Sequence, residues 1–259
     1  MSTNREEAVE KKNEGNKFAD VGNYRDAIPL YKEAQRLDPT YAIAYFNCGI
    51  AFRKIGMLDE AIKELTDAIL CDPNDKDSYY WRGKSYKEKG NRQEAIKDFD
   101  KAIKLDPTFG DAYFERATVS DISTVEEVHF VVDNYYQKAL EYCNYTDVQK
   151  ALTYYNMGVS YSTNECWGHA YANFCTAVEL DPTVPTYFVQ KYLMLWGMND
   201  GRPNRDEPVK ILTAASKACK EAIGVLKNKA VRTEREEKQL IEAEAHLNKI
   251  EAQINALNI

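Results

Sequence analysis

Three histidines, six cysteines and scattered carboxylates are the residues of this 259-residue chain that could hold a metal ion or attack a substrate. His129, His169 and His246 stand far apart in sequence, and the spacing puts each on a different helix. No cysteine or carboxylate lies beside them at metal-ligand spacing, so a zinc site is not expected, nor is any cofactor. Cys48, Cys71, Cys143, Cys166, Cys175 and Cys219 form no Cys-x-x-Cys pair. They read as reduced thiols, several of them buried as small hydrophobes. Glu165, Cys166 and His169 are close enough in sequence for a Cys–His pair, but they fall around a turn between helices, where polar residues are expected. There is no Gly-rich phosphate loop and no nucleophile elbow. The residues therefore point away from catalysis and toward binding.

Composition agrees. Hydrophobic residues make up 44% and charged residues 29%, ample for a core under a polar surface. A net charge of -7 argues against nucleic-acid binding, because phosphate rewards clustered Lys and Arg. The first fifteen residues hold no apolar stretch of the kind a secretory signal needs, and no run of eighteen apolar residues predicts membrane insertion. The expected location is the cytosol, where the Asn144-Tyr145-Thr146 sequon carries no meaning.

The elements that must position any site come from an internal repeat. Gly15, Gly49 and Gly83 are spaced by thirty-four residues, as are Pro39, Pro73 and Pro107, each preceded by Asp; Gly158 and Pro182 repeat the pattern further on. Twelve residues after each glycine stands Ala27, Ala61, Ala95 or Ala170, and seven later Ala34, Ala68, Ala102 or Ala177. Small residues at these places let antiparallel helices approach closely. Phe18, Phe52, Tyr86 and Tyr161 fill the gaps on first helices, Tyr31, Leu65, Phe99 and Phe174 on second ones, all at helical spacing. Gly22-Asn23 and Gly90-Asn91 mark turns, and each proline ends a second helix.

These small-large-small positions and closing prolines resemble the tetratricopeptide-repeat family, over roughly residues 8–184. The fold expected is all-α, a right-handed α-solenoid of about five helix-turn-helix repeats with C-terminal capping helices. A flexible N-terminus over 1–7 precedes the solenoid over 8–196, with repeats at 8–41, 42–75, 76–109, 110–150 and 151–184 and a further helix (Phe188, Tyr192, Leu195) after them. The fourth repeat departs from the pattern: Tyr136 and Ala139 come three residues late, no proline closes it, and Ser123-Thr124-Val125-Glu126 reads as a capping box restarting a helix. A loop over 197–206 leads to helices within 207–259. One carries Val209, Leu212, Ala215, Cys219, Ile223 and Leu226; the other has a heptad seam of Leu240, Ala243, Leu247, Ile250, Ile254 and Leu257. Three heptads serve either as a cap on the stack or as a self-association surface over 232–257.

The resemblance implies a protein-binding role, with a partner's extended or C-terminal peptide lying on the concave surface of first helices. In the family register the inward positions are Lys12 and Asn16, then Phe46, Asn47, Ile50 and Arg53, then Asp77, Tyr80, Trp81, Lys84 and Lys87, then Phe114 and Glu115, and finally Tyr155, Asn156 and Val159. Lys12, Asn16 and Asn47 match three of the five positions of the carboxylate clamp, with which co-chaperone relatives grip heat-shock chaperone tails ending in Glu-Glu-Val-Asp. The two remaining positions, basic in the clamp, are Asp77 and Trp81 here. Two lost charge-assisted hydrogen bonds cost about 3–6 kcal/mol, on the order of a hundredfold to ten-thousandfold in affinity. Lys84 or Lys87 is the candidate substitute. Phe46, Tyr80, Trp81, Phe114 and Tyr155 form an aromatic stripe in this register, unless Phe46, Tyr80 and Phe114 pack between repeats instead. The function expected is a non-catalytic interaction adaptor, with a co-chaperone as its narrower form; the alternative is an assembly scaffold that self-associates through its C-terminal helices.

Overall fold

The computed structural model describes residues 2–182, 184–198 and 234–257, with separate positions between 212 and 228. Among these residues there is no strand, and no helix is long and apolar enough to cross a membrane. The chain divides into two compact units, Met1–Ser120 with Glu141–Cys143, and Asp121–Leu140 with Asn144–Ile259.

The first unit stacks α1 (Ser2–Asp20) on α2 (Tyr24–Leu37), α3 (Ala42–Lys54) on α4 (Leu58–Cys71) and α5 (Lys76–Glu88) on α6 (Arg92–Leu105), then adds α7 (Gly110–Thr118). The repeat glycines do more than permit a close crossing. A Cβ built on Gly15, Gly49 or Gly83 would lie 2.6 Å from Tyr31, 2.7 Å from Leu65 or 2.8 Å from Phe99. Each glycine thus leaves the hollow that seats the large residue sixteen positions later, and all three large residues are buried. Ala27, Ala61, Ala95, Ala34, Ala68 and Ala102 are fully buried around them.

Helix ends are fixed by repeated hydrogen bonds. Gly22, Gly56 and Gly90 adopt φ of 79°, 80° and 83°, and the following N–H groups of Asn23, Met57 and Asn91 donate to the carbonyls of Phe18, Phe52 and Tyr86 at 2.9, 3.0 and 2.8 Å. This is the glycine C-cap that satisfies the last carbonyls of a helix. At the other turn the aspartate before each proline matters as much as the proline. Asp38 and Asp106 each accept from the backbone N–H of Thr40 or Thr108 at 2.9 Å, and Asp72 accepts from that of Asn74 at 3.0 Å.

The N-terminus corrects the expected boundary. Residues 2–7 belong to α1 rather than to a flexible tail. Arg5 bonds Asp38 at 2.5 Å and lies 3.9 Å from the centre of the Tyr41 ring, while Ala8 packs among Ala34, Tyr41 and Ala44. Phe18 is 41% exposed rather than a gap-filler.

The second unit begins with the irregular repeat. Its helix α8 (Val125–Val131) starts at a capping box formed by Thr124 and Glu127, one residue later than the pattern suggests. A π-helical turn over Val132–Tyr136 leads into α9 (Gln137–Tyr142). This wider turn alters the register, so that Tyr136 and Ala139 are buried although they arrive late. Then α10 (Asp147–Ser162) pairs with α11 (Trp167–Leu180), and Gly158 seats Phe174 as in the first unit. Next comes α12 (Pro185–Met198), whose last two residues fall where the loop was expected; the rest of that loop lies outside the described residues, as do Val209, Ala215 and Leu226. Nor are the Tyr192, Leu195 and Leu257 side chains described. On the final helix, α13 (Glu234–Leu257), Leu240, Ala243 and Ile250 are buried. Ile250 shares a core with Leu212 and Cys219, against which Phe188, Leu247 and Ile254 pack. The described part of the heptad seam thus meets the chain's own residues: Leu240, Ala243 and Ile250 are buried, and Leu247 and Ile254 pack beside Ile250, the arrangement a cap requires.

Candidate peptide-binding face

In the first unit α1, α3, α5 and α7 carry the expected site residues, and contacts link each helix to the next. Asn16 on α1 is the hub of the first link. Its Oδ1 accepts from the Tyr31 hydroxyl at 2.9 Å and from Asn47 Nδ2 on α3 at 2.9 Å. With that oxygen used twice, Asn16 presents its amide N–H groups, and Asn47 its side-chain carbonyl, without a partner among the described residues. Lys12, one turn earlier, donates to Asn13 Oδ1 at 2.6 Å and forms no ion pair among the described residues. Phe46 and Ile50 are half-buried.

The second link joins α3 to α5. Arg53 pairs with Glu88, and its guanidinium lies 5.1 Å from the centre of the Trp81 ring. Lys84 approaches the same ring, also at 5.1 Å. Trp81 thus sits under two cations, an arrangement its ring quadrupole favours. Arg53 Nε is buried with no hydrogen-bond partner, an omission that costs about 1–3 kcal/mol. Tyr80 turns the other way. It is 8% exposed and packs against Phe99 and Phe109, so it belongs to the core, and burial raises the pKa of its hydroxyl.

The third link joins α5 to α7. Lys84 and Lys87 reach the two oxygens of Glu115 at 3.0 and 2.7 Å, and Lys87 also bonds Thr118 at 2.6 Å. Burial works against the Glu115 charge, yet the two lysines outweigh it and hold the pKa below the usual carboxylate range. Both lysines expected to replace the missing clamp residues thus share the single charge of Glu115, which holds them in place and leaves the trio one net positive charge. Asp77, at a clamp position, has no ion-pair partner among the described residues. Burial raises its pKa, and Asp75 adds to the shift. Phe114 is half-buried on α7.

The second unit holds the other two expected residues, both on α10. Tyr155 packs between Phe174 and Tyr187, with ring centres 5.6 and 5.1 Å away, and its role there is cohesive. Asn156 is half-buried, its side-chain amide without a partner among the described residues. One turn earlier on that helix stands the exposed Leu152, and one turn before that the exposed Val148. This apolar pair has no charged counterpart on the helix face and was not singled out by the repeat register.

Comparison with known proteins bears on the fold. The chain matches a tetratricopeptide-repeat model over residues 77–109 and a TPR-repeat model over residues 15–56. No protein with a curated description matches it significantly. Among solved structures, YrrB, a TPR protein with an unusual peptide-binding site, aligns with a TM-score of 0.58 at 20% identity, over 73% of this chain and 91% of that one. The APC/C hetero-tetramer Cut9-Hcn1 aligns with a TM-score of 0.64 at 17% identity, over 95% of this chain and 43% of that one. The second TPR domain of the human RPAP3 protein, in complex with HSP70 peptide SGPTIEEVD, is 30% identical over 46% of this chain and 98% of that one, with a TM-score of 0.45. Thirty-four-residue helix pairs closed by a glycine–aromatic or glycine–leucine contact, together with both repeat-model matches, show that this chain is built with tetratricopeptide repeats.

Proposed function

We propose that the protein is a cytosolic, non-catalytic adaptor that holds an extended segment of a partner protein along the first-helix face of its repeats. The Asn16–Asn47 pair carries this reading. A peptide group offers one N–H and one C=O, and the pair offers the complementary acceptor and donors, oriented by a shared bond and by Tyr31. Trp81 and Phe46 add apolar surface beside it. An extended segment held through its backbone, with side chains choosing among the flanking surfaces, is a mode that needs no catalytic group.

The charges narrow the ligand. Lys12 favours an acid, but Asp77 opposes one, and Lys84 and Lys87 are committed to Glu115. A segment with apolar anchors suits this face better than a purely acidic tail, and the co-chaperone role rests on Lys12, Asn16 and Asn47 alone.

The deciding experiment selects random peptides displayed on phage against the full chain and measures the enriched sequences on Asn16→Ala and Asn47→Ala. Loss of at least about tenfold in affinity is expected. Enriched peptides that bind the variants equally well, or no enrichment, would remove the reading. Fluorescence anisotropy with a labelled peptide ending in Glu-Glu-Val-Asp decides the narrower form. Salt-sensitive binding lost in Lys12→Ala restores the co-chaperone; no binding excludes it while leaving the adaptor.

A further inference from the structure

The fold of the second unit brings together two histidines that stand forty residues apart in sequence. His129 on α8 and His169 in the first turn of α11 have ring centres 5.1 Å apart, with the rings at 84°. Tyr161 on α10 holds both. Its hydroxyl is 3.2 Å from His129 Nδ1, and its ring stacks on His169 at 5.0 Å and 23°. Tyr161 is buried, His129 half-buried and His169 exposed, so the pair sits on a fixed base at the surface.

We propose that His129 and His169 form a bidentate site for a divalent transition cation of the zinc type. The separation fits. Imidazole nitrogen binds zinc at about 2.0–2.1 Å, and the ring centre lies roughly 1.1 Å behind it, so two rings on one tetrahedral ion have centres about 5.2 Å apart. The hydrogen bond also fits. With His129 Nδ1–H donating to the Tyr161 oxygen, the Nε2 lone pair is left for a ligand, which is how an outer partner orients a ligating histidine. Two imidazoles select zinc, copper or nickel over magnesium and calcium, which prefer oxygen. Among the described residues no third His, Cys, Asp or Glu side chain converges with them. Water completes the coordination shell, and the site is reversible rather than structural. Occupancy ties α8, where the irregular repeat restarts, to α11, and stabilises that packing by mass action.

The test is a titration of zinc chloride into the full chain, followed by NMR on the histidine Cε1–Hε1 signals. Three histidines give three signals, assigned by single substitutions. The His129 and His169 signals are expected to shift together and saturate, that of His246 to stay, and magnesium to move none. His169→Gln changes an exposed position, so circular dichroism should match the parent chain. It should weaken the zinc response of His129 at least about tenfold, and His129→Gln should do the same to His169. Unmoved His129 and His169 signals, or one histidine saturating equally well without the other, would overturn the site.

Discussion

At the level of single residues, a missing methyl group decides how tightly a helix pair closes. A Cβ on Gly83 would lie 2.8 and 3.1 Å from two Phe99 ring carbons and 3.2 Å from Asp98 Cβ. Phe99 is fully buried and has nowhere to move. Gly83→Ala gains about 1 kcal/mol of helix propensity but overpacks the crossing at about 1–3 kcal/mol, so a net loss of stability is expected in urea melts. Gly168, in the first turn of α11, has no atom within 4 Å of its added Cβ. Gly168→Ala should therefore stabilise by about 0.5–1 kcal/mol. Equal shifts in both variants would sink the account. Gly15, Gly49, Gly83 and Gly158 are legible in sequence because period and residue type coincide. The fate of Lys84 and Lys87 is not: their bonds to Glu115 join neighbouring helices, 28 residues apart for Lys87, and depend on rotamers that periodicity leaves open. The meeting of His129 with His169 was hidden for a related reason, since it is made by packing α8 and α11 around Tyr161.

At the level of elements, the turns repeat more faithfully than the helices they join. The position of Gly22, Gly56 and Gly90 is filled in the fifth repeat by Glu165, at φ 59°, the one non-glycine with positive φ among the described residues. The bond from Cys166 N–H to the Tyr161 carbonyl, 3.0 Å, keeps the same cap. A side chain there costs about 1–2 kcal/mol, partly offset by the greater freedom of glycine in the unfolded chain. Glu165→Gly should raise the thermal midpoint, by about 0.5–1 kcal/mol of stability; an unchanged or lower midpoint would show that the carboxylate does something the cap does not explain. The Asp-Pro turns predict an acid limb. Lys76 and then Thr108 lower the Asp106 pKa to about 2. Because the folded value lies below the unfolded one of about 3.9, this contribution is complete above pH 4 and is lost as pH falls toward 2. Asp106→Asn keeps an acceptor for Thr108 and loses the charge. It should melt below the parent at pH 6 and together with it near pH 2, whereas a constant gap would assign the effect to something other than charge. The fourth repeat was legible as a slip and not as a π turn. Ser123 and Thr124 can both cap, Glu126 and Glu127 can both answer, and residue types do not break the tie.

At the level of the whole molecule, a stack of repeats has to end somewhere without leaving an apolar face in water. The C-terminal helices meet that need in the second unit. Leu212 and Cys219 are fully buried and Ile250 nearly so, with Phe188 of α12, Leu247 and Ile254 packed against them. Burying a side chain such as leucine or isoleucine stabilises by about 1.5–3 kcal/mol, so several kcal/mol depend on this cap. Ending the chain at residue 206 removes Leu212, Cys219 and all of α13 and uncovers Phe188. By light scattering the full chain should be a monomer. The shortened chain should melt earlier and self-associate as its concentration rises, because its bared face has no partner within the molecule. The same pair of measurements tests the scaffold alternative. A full chain that is a dimer and becomes a soluble, stable monomer on shortening would mean that the heptad of α13 joins two copies, and that its burial against Phe188, Leu212 and Cys219 gives way in solution. A covered seam predicts the first result: the apolar residues that a partner copy would need are the ones this chain already uses to close its own end.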